Sequence, residues 1–332
     1  MPTIKLMPTL KNWLQAIRYH FTAPSFISAL LGSAIAVNTS CLFNITNFLL
    51  LIIAILFNHV ALNMTDDYYD YLHNVDVLNT ANKRSLCHGG SGVLIEKKIP
   101  PAYIKIAFCS CYAVTIIIGL YFVATLGMFI LLLGIVGFFC SYYYTAPPFS
   151  FGYKGLGELA IFFNFGPLIT VGSYYLQTKN IDLPIIIMSL PLGLLMFAMI
   201  IFNEIPDTET DLQANKKTLV VLFGKKIGYK LATIAIIATY IIIILSAIFD
   251  YTSKISLIIF ITIPIAYKAI KLLSCEQGQV EMIKTHNSIG LLLIAAYLIQ
   301  SLINSNNSYN ILIIIITAIL LYLPIIFMIK TK

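Results

Sequence analysis

The sequence predicts an all-α protein, a polytopic transmembrane helical bundle with a central cavity, and three observations predict it. The 332-residue chain is 59% hydrophobic and only 11% charged, with a mean hydropathy of +0.89, well beyond the usage of soluble domains. Its apolar stretches recur at the length of a membrane span, about 20 residues. They run from Phe21 to Met328 with no polar block long enough for a separate extramembrane domain, so residues 1–332 read as one membrane-embedded domain. Its basic residues fall almost wholly in alternate connections, as topology requires.

The first twenty residues differ from the rest. Leu6, Leu10, Trp13, Leu14 and Ile17 fall at helical spacing while Lys11 and Arg18 lie off that stripe, the pattern of an amphipathic helix at the membrane surface. No small-residue cleavage site follows an early apolar core, so no removed signal peptide is expected. Ten segments then approach span length: 21–38, 46–65, 102–122, 125–144, 157–177, 183–203, 228–249, 254–272, 287–303 and 310–329. The ninth is short, so nine or ten spans are expected. With ten, every one of the 21 Lys and Arg residues except Lys179 and Lys254 lies on the side of the N-terminus, which is therefore expected to be cytoplasmic. That places the protein in the inner or plasma membrane if it is bacterial, with connections 66–100 and 204–227 on the cytoplasmic side. The net charge of +7 then follows from topology, with anionic lipid headgroups as general partners and no reason to invoke nucleic acid. The six cysteines form no C-x-x-C pair, and neither a disulfide framework nor a cysteine metal site is indicated.

Two acidic clusters interrupt this apolar pattern. The second segment ends in NMTDDYYDYLHNVD; continued as a helix, it sets His59, Asn63, Asp66, Asp67 and Asp70 one above another on a single face, with Asp76 beyond. The sixth ends in FNEIPDTETD, where Asn203, Asp207 and Asp211 repeat at i, i+4, i+8 beside Glu204 and Glu209. Four spans separate the clusters, an even number, so both emerge on one membrane face. Asn63-x-x-x-Asp67 recurs as Asn203-x-x-x-Asp207 at an offset of 140 residues, a hint of a parallel repeat. Clustered carboxylates on membrane helices are costly and need positive charge. Oxygen-rich clusters suit Mg²⁺, which is commonly held by one or two carboxylates together with substrate phosphates. Lys83 and Arg84 after the first cluster, and Lys216, Lys217, Lys225 and Lys226 after the second, then read as contacts to the same phosphates.

Plainer readings compete. Acids at a helix end are often a solvated interface, and His59 by itself reads as a hydrogen-bonded interior residue. Tyr68, Tyr69, Tyr71 and Tyr142–Tyr144 suit an aromatic interface belt, and GGSG at 89–92 a bend rather than a phosphate loop. An ion-coupled transporter would also place acids inside a bundle, but near the bilayer midplane on broken spans rather than at span ends beside basic loops.

At these residues the sequence resembles the UbiA superfamily of intramembrane prenyltransferases. Asp66-Asp67-Tyr68-Tyr69-Asp70 resembles the family's N-D-x-x-D motif; NEIPDTETD followed by KKTLVVLFG resembles its second motif and GKRTL-type tail; YTAPPFSFGYKGLGEL at 144–159 resembles the loop after the fourth span. The likeness runs from about residue 15 to 305. It implies a bundle whose cavity opens sideways to lipid, two Asp-rich motifs holding Mg²⁺, and transfer of a polyprenyl chain from polyprenyl diphosphate to an acceptor. By position it makes Asp67, Asp70, Asp207 and Asp211 the metal-diphosphate groups, with Asp66 and Asn203 supporting the metal. Asn63, Lys83, Arg84, Lys154 and Lys217 become diphosphate contacts. Three departures stand out: Asp66 where the family has Asn, Asn215 and Lys217 where it has Gly and Arg, and a tenth span beyond nine. The spacing to Asp76 and the GGSGVL stretch is more like the branch acting on 1,4-dihydroxy-2-naphthoate in menaquinone synthesis than the 4-hydroxybenzoate branch. A glycerol-phosphate lipid is a third possible acceptor.

Overall fold

The computed structural model describes residues 8–40, 43–75, 90–273 and 276–304. A short helix α1 (Leu10–Ala16) precedes α2 (Ala23–Ser40) and α3 (Ile45–Leu72). The chain continues through α4 (Pro101–Leu126), α5 (Met128–Tyr142) and α6, a 22-residue helix over Gly157–Thr178 interrupted by a π turn at Asn164–Leu168. Then come α7 (Leu183–Gln213), the short α8 (Leu219–Phe223), α9 (Lys225–Ile248), a 3₁₀ run Lys254–Thr262 leading into α10 (Ile263–Lys271), and α11 (Glu276–Asn304). Nine of the ten predicted segments are helical; the tenth, 310–329, lies outside the described residues, as do Asp76, Lys83 and Arg84. Among the described residues six helices, α3, α4, α6, α7, α9 and α11, are long and apolar enough to cross a membrane.

Local chemistry sets the boundaries. Asn44 caps α3 by accepting the Asn47 N–H at 3.0 Å, and Asp182 caps α7 by accepting that of Ile185 at 3.0 Å. Proline occupies the first turn of α4 and of α7, where no intrahelical N–H is needed. Gly127, at φ 102°, separates α4 from α5 in a conformation that a side chain would oppose. Central α2 is buried along nearly its whole length, and small residues let it pack closely: Gly32 faces the Thr170 carbonyl, where a Cβ would sit only 2.2 Å away. Its buried hydroxyls are used inside the bundle, Ser28 on the Phe165 carbonyl at 2.5 Å and Ser33 with Ser173 at 2.8 Å.

Three expectations need correcting. The ninth segment is not short: α11 runs 29 residues, because Gln279, Glu281, Thr285 and His286, which lower its hydropathy, are buried by packing and pairing. Glu281 is held by Lys268 at 2.8 Å and Lys284 at 3.1 Å. The acidic motifs are not in loops, since α3 remains helical to Leu72 and α7 to Gln213. In α1 the stripe divides: Trp13, Ala16 and Ile17 pack into the cluster formed with α3 and α4, while Leu10 and Leu14 are exposed.

Candidate active site

Helical periodicity delivers the first motif as a stripe on the last three turns of α3, and two distant segments fold over it. Asn63 donates to the Ile17 carbonyl at 2.9 Å, anchoring the turn after α1 in which Arg18 takes a left-handed conformation, φ 46°. The Arg18 guanidinium thereby reaches Asp66, at 3.2 Å, and Asp67. Gly90 and Gly92 both adopt positive φ, and the bend they flank directs the Ser91 N–H to Asp67 at 3.1 Å. Asp70 is engaged on both oxygens, by the Tyr153 hydroxyl at 2.5 Å and the Lys216 ammonium at 2.9 Å.

Lys216 joins the motifs. Asn215 is left-handed at φ 57°, which turns the chain so that the Lys216 N–H caps the Asp211 carbonyl at 2.8 Å and its side chain folds back onto Asp70. The departure from glycine at this position is thus to the other residue that tolerates αL. Burial draws the Lys216 ammonium's pKa down, but Asp70, Asp211 and Asp66 outweigh it and hold it well above the usual lysine value. Tyr153, raised by burial and by Asp70, stays a neutral donor. In the second motif Asp211 and Glu204 are buried and Asn203 and Asp207 half-buried. The Glu204 carboxyl lies beside that of Glu158, which accepts the Leu219 N–H at 2.5 Å. Glu209 faces outward, 3.8 Å from Lys225.

The structure brings Asp66, Asp67, Asp70 and Asn63 together and couples Asp70 to Asp211 through Lys216. It does not bring the Lys154 and Lys217 side chains into the cluster: their backbones form a bridge, but Lys154 Nζ bonds the Pro148 carbonyl at 3.0 Å and Lys217 is exposed. The cations on the carboxylates are Arg18 and Lys216. Sequence reasoning passed over Arg18 as an off-stripe surface residue and ranked Lys217 above its neighbour; the available signal was the Asn215 turn, which sends successive lysines to opposite sides.

Among the described residues no three Asp, Glu, His or Cys side chains are close enough to hold a metal ion by themselves. Asp66 Oδ1 and Asp67 Oδ2 are nevertheless buried without a hydrogen-bond partner, hard oxygen donors with spare capacity. That donor set fits Mg²⁺ completed by phosphate oxygens rather than by protein alone.

Below the motif lies a pocket of about 530 Å³ between α3, α4, α5 and α6, with exposed Ile116, Leu120 and Ile135 at its rim. His59 on its wall is eight residues from Asp67, about 12 Å along a helix rising ~1.5 Å per residue. Beside the motif, Tyr68, Tyr69, Tyr112, Phe138 and Tyr142 form a ring cluster, the Tyr69 and Tyr142 hydroxyls 3.2 Å apart.

The sequence profile of the UbiA prenyltransferase family matches residues 25–289. This chain belongs to the UbiA prenyltransferase family. It is similar to the 1,4-dihydroxy-2-naphthoate octaprenyltransferase of Bacillus subtilis, 28% identical over 77% of this chain and 80% of that one. It is likewise similar to the enzyme of that name from Haemophilus influenzae, 30% identical over 65% of this chain and 70% of that one. Its fold matches a UbiA homolog from Archaeoglobus fulgidus solved with GPP and Mg²⁺, with a TM-score of 0.55 at 15% identity over 93% of this chain and 96% of the other. The protein is thus a multi-pass membrane prenyltransferase, and the transporter reading falls away.

Proposed function

We propose that the chain transfers a polyprenyl group from polyprenyl diphosphate to 1,4-dihydroxy-2-naphthoate, the prenylation step of menaquinone synthesis. The observation that carries this reading is the union of the two acidic motifs and their half-buried cations at one end of an apolar pocket. The names of the relatives in Bacillus subtilis and Haemophilus influenzae support the naphthoate acceptor. On this reading Asp66, Asp67 and Asp70 with Asn203, Asp207 and Asp211 hold Mg²⁺, whose charge, when bound, neutralises the departing diphosphate. Arg18 and Lys216 supply donors to the phosphates, with Lys83, Arg84, Lys154 and Lys217 as outer contacts. The site faces the cytoplasm, with the N-terminus on the same side of a bundle of nine or ten spans.

The chain's own task is positioning and electrostatics rather than covalent chemistry. As the allylic C–O bond breaks, the ring cluster around Tyr69 and Tyr142 shields the developing cation from water, and its π faces stabilise it. The new C–C bond forms at the carboxyl-bearing ring carbon. CO₂ leaves as its bond pair returns to the ring, and diphosphate carries away the other pair. The test is to incubate purified protein with Mg²⁺, allylic diphosphates of several lengths and three acceptors, and to identify products by mass. Prenylated naphthoquinol with loss of CO₂ is expected. Product solely from 4-hydroxybenzoate or a glycerol-phosphate lipid would overturn the acceptor assignment.

A further inference from the structure

The pocket is mostly apolar: Ser25, Asn58, His59, Thr115, Tyr143 and Asn164 are the polar residues of a wall otherwise made of leucine, isoleucine, valine, phenylalanine, alanine and glycine. Their hydrogen-bonding states differ in a telling way. The Ser25 hydroxyl and His59 Nδ1 are bonded to each other, and the nearby Thr115 hydroxyl donates to the carbonyls of Ala54 at 3.2 Å and Cys111 at 3.1 Å. The amides of Asn58 and Asn164 have no hydrogen-bond partner among the described residues, although Asn164 is only 6% exposed. Each amide carries two donors and an acceptor, and leaving them unmet at membrane depth is unfavourable.

The backbone is shaped to put Asn164 there. It opens the π turn Asn164–Leu168, which contains Pro167 and widens α6 by the one residue that shifts side-chain register. The next residue, Phe165, gives its carbonyl to Ser28 at 2.5 Å and meets the His59 ring edge-on at 5.2 Å. Gly137 of α5 comes close to Asn164: a Cβ there would be in ordinary contact with Asn164 Oδ1, at 3.8 Å. The Asn164 amide lines the pocket beside this glycine.

An isoprenoid chain offers no group to satisfy these amides, so the prenyl substrate alone does not account for them. We infer that Asn58, His59 and Asn164 form the subsite for the hydroxyl- and carboxyl-bearing ring of the aromatic acceptor. This deepens, and rests on, the prenyl-transfer reading. Some 12 Å along α3 from Asp67 by helical rise, a ring held here would stand on the pocket side of a diphosphate bound at the motif. That is the side from which a nucleophile displaces a leaving group in line. The prenyl tail is left the apolar remainder of the pocket and its rim at Ile116, Leu120 and Ile135.

The full chain in lipid nanodiscs with Mg²⁺ provides the test, using Asn58→Leu and Asn164→Leu. Each is expected to raise the KM for 1,4-dihydroxy-2-naphthoate about tenfold while the KM for the allylic diphosphate stays within twofold. An unchanged acceptor KM, or a rise confined to the diphosphate, overturns the subsite. Should the leucine variants fail to fold, Asn164→Ala, which removes the amide without adding bulk, carries the same expectation. Equilibrium binding of the naphthoate, followed by its own fluorescence, separates the two proposals. Saturable binding weakened about tenfold by Asn164→Leu supports the subsite even if the wild-type chain transfers no prenyl group, whereas equal binding by wild type and variant removes it.

Discussion

The two acidic motifs share a pattern, Asn63-x-x-x-Asp67 against Asn203-x-x-x-Asp207, yet the fold surrounds them differently. The first is clamped. Arg18, from a turn 49 residues away in sequence, and Lys216, from 146 residues away, take its carboxylates, and Tyr153 and the Ser91 N–H complete the set. In the second, Glu204 is buried against another carboxyl, that of Glu158, and Asp211 shares the Lys216 charge. The same spacing has therefore produced one motif neutralised by cations from distant segments and one that depends on a residue just past its own helix. Helical spacing places carboxylates on a stripe, and the segments that fold onto the stripe decide which are neutralised.

Charge removal should break the comparison most sharply. Asp67→Asn in the first motif and Asp207→Asn in the second are each expected to lower turnover about a hundredfold or more, with thermal unfolding in detergent showing a folded bundle. Near-normal rates in both would refute the assignment. Next comes the shared cation. Lys216→Ala leaves Asp70 buried without its ion pair, a loss of about 3–5 kcal/mol where a buried pair is broken. Lys217→Ala on the exposed neighbour should stay within about 0.5 kcal/mol. Equal melting shifts for the two would show that the Asn215 turn does not select between them. Because its folded pKa is raised, the Lys216 contribution is fully present below the ordinary lysine value and is lost only as pH rises past it toward the higher folded value. The Lys216 difference should therefore still be present at pH 9.

Arg18 separates the motifs in a milder way. Arg18→Lys keeps the charge but not the fork that spans Asp66 and Asp67, so it is expected to raise the KM for the allylic diphosphate about tenfold with a smaller change in kcat. An equal KM would place Arg18 outside the diphosphate site. An effect on stability alone belongs to Glu158, whose carboxylate holds the Leu219 N–H at the start of α8. Glu158→Ala should cost about 1–3 kcal/mol by orphaning that donor, and Glu158→Gln, which keeps an acceptor oxygen, should restore most of it. Melting temperatures of the pair decide the matter.

Much was legible in the chain because the membrane simplifies the code: in hydrocarbon the backbone must satisfy itself, so a long apolar run is a helix. The stripe from His59 to Asp70 needed only helical periodicity. The polar start of α11 was misjudged because hydropathy averages over residues, whereas burial follows the partners each residue finds: Gln279 bonds the Phe202 carbonyl at 3.0 Å and Glu281 two lysines. His59 was legible as an interior hydrogen-bonded residue, but not as part of a pocket wall, since that depends on the π turn bringing Asn164 and Phe165 to face it.

The sequence by itself determined that this is an all-helical membrane protein, which residues carry its two acidic stripes, and the family those stripes resemble. These follow from composition and from the fixed 3.6-residue repeat, both local properties. Only the tertiary structure decided that Arg18 and Lys216 rather than Lys154 and Lys217 meet the carboxylates, and that two unpartnered amides line the apolar pocket. Those choices turn on a left-handed residue at position 18, another at 215 and a π turn at 164, each of which redirects a side chain by a fraction of a helical turn that no periodicity records.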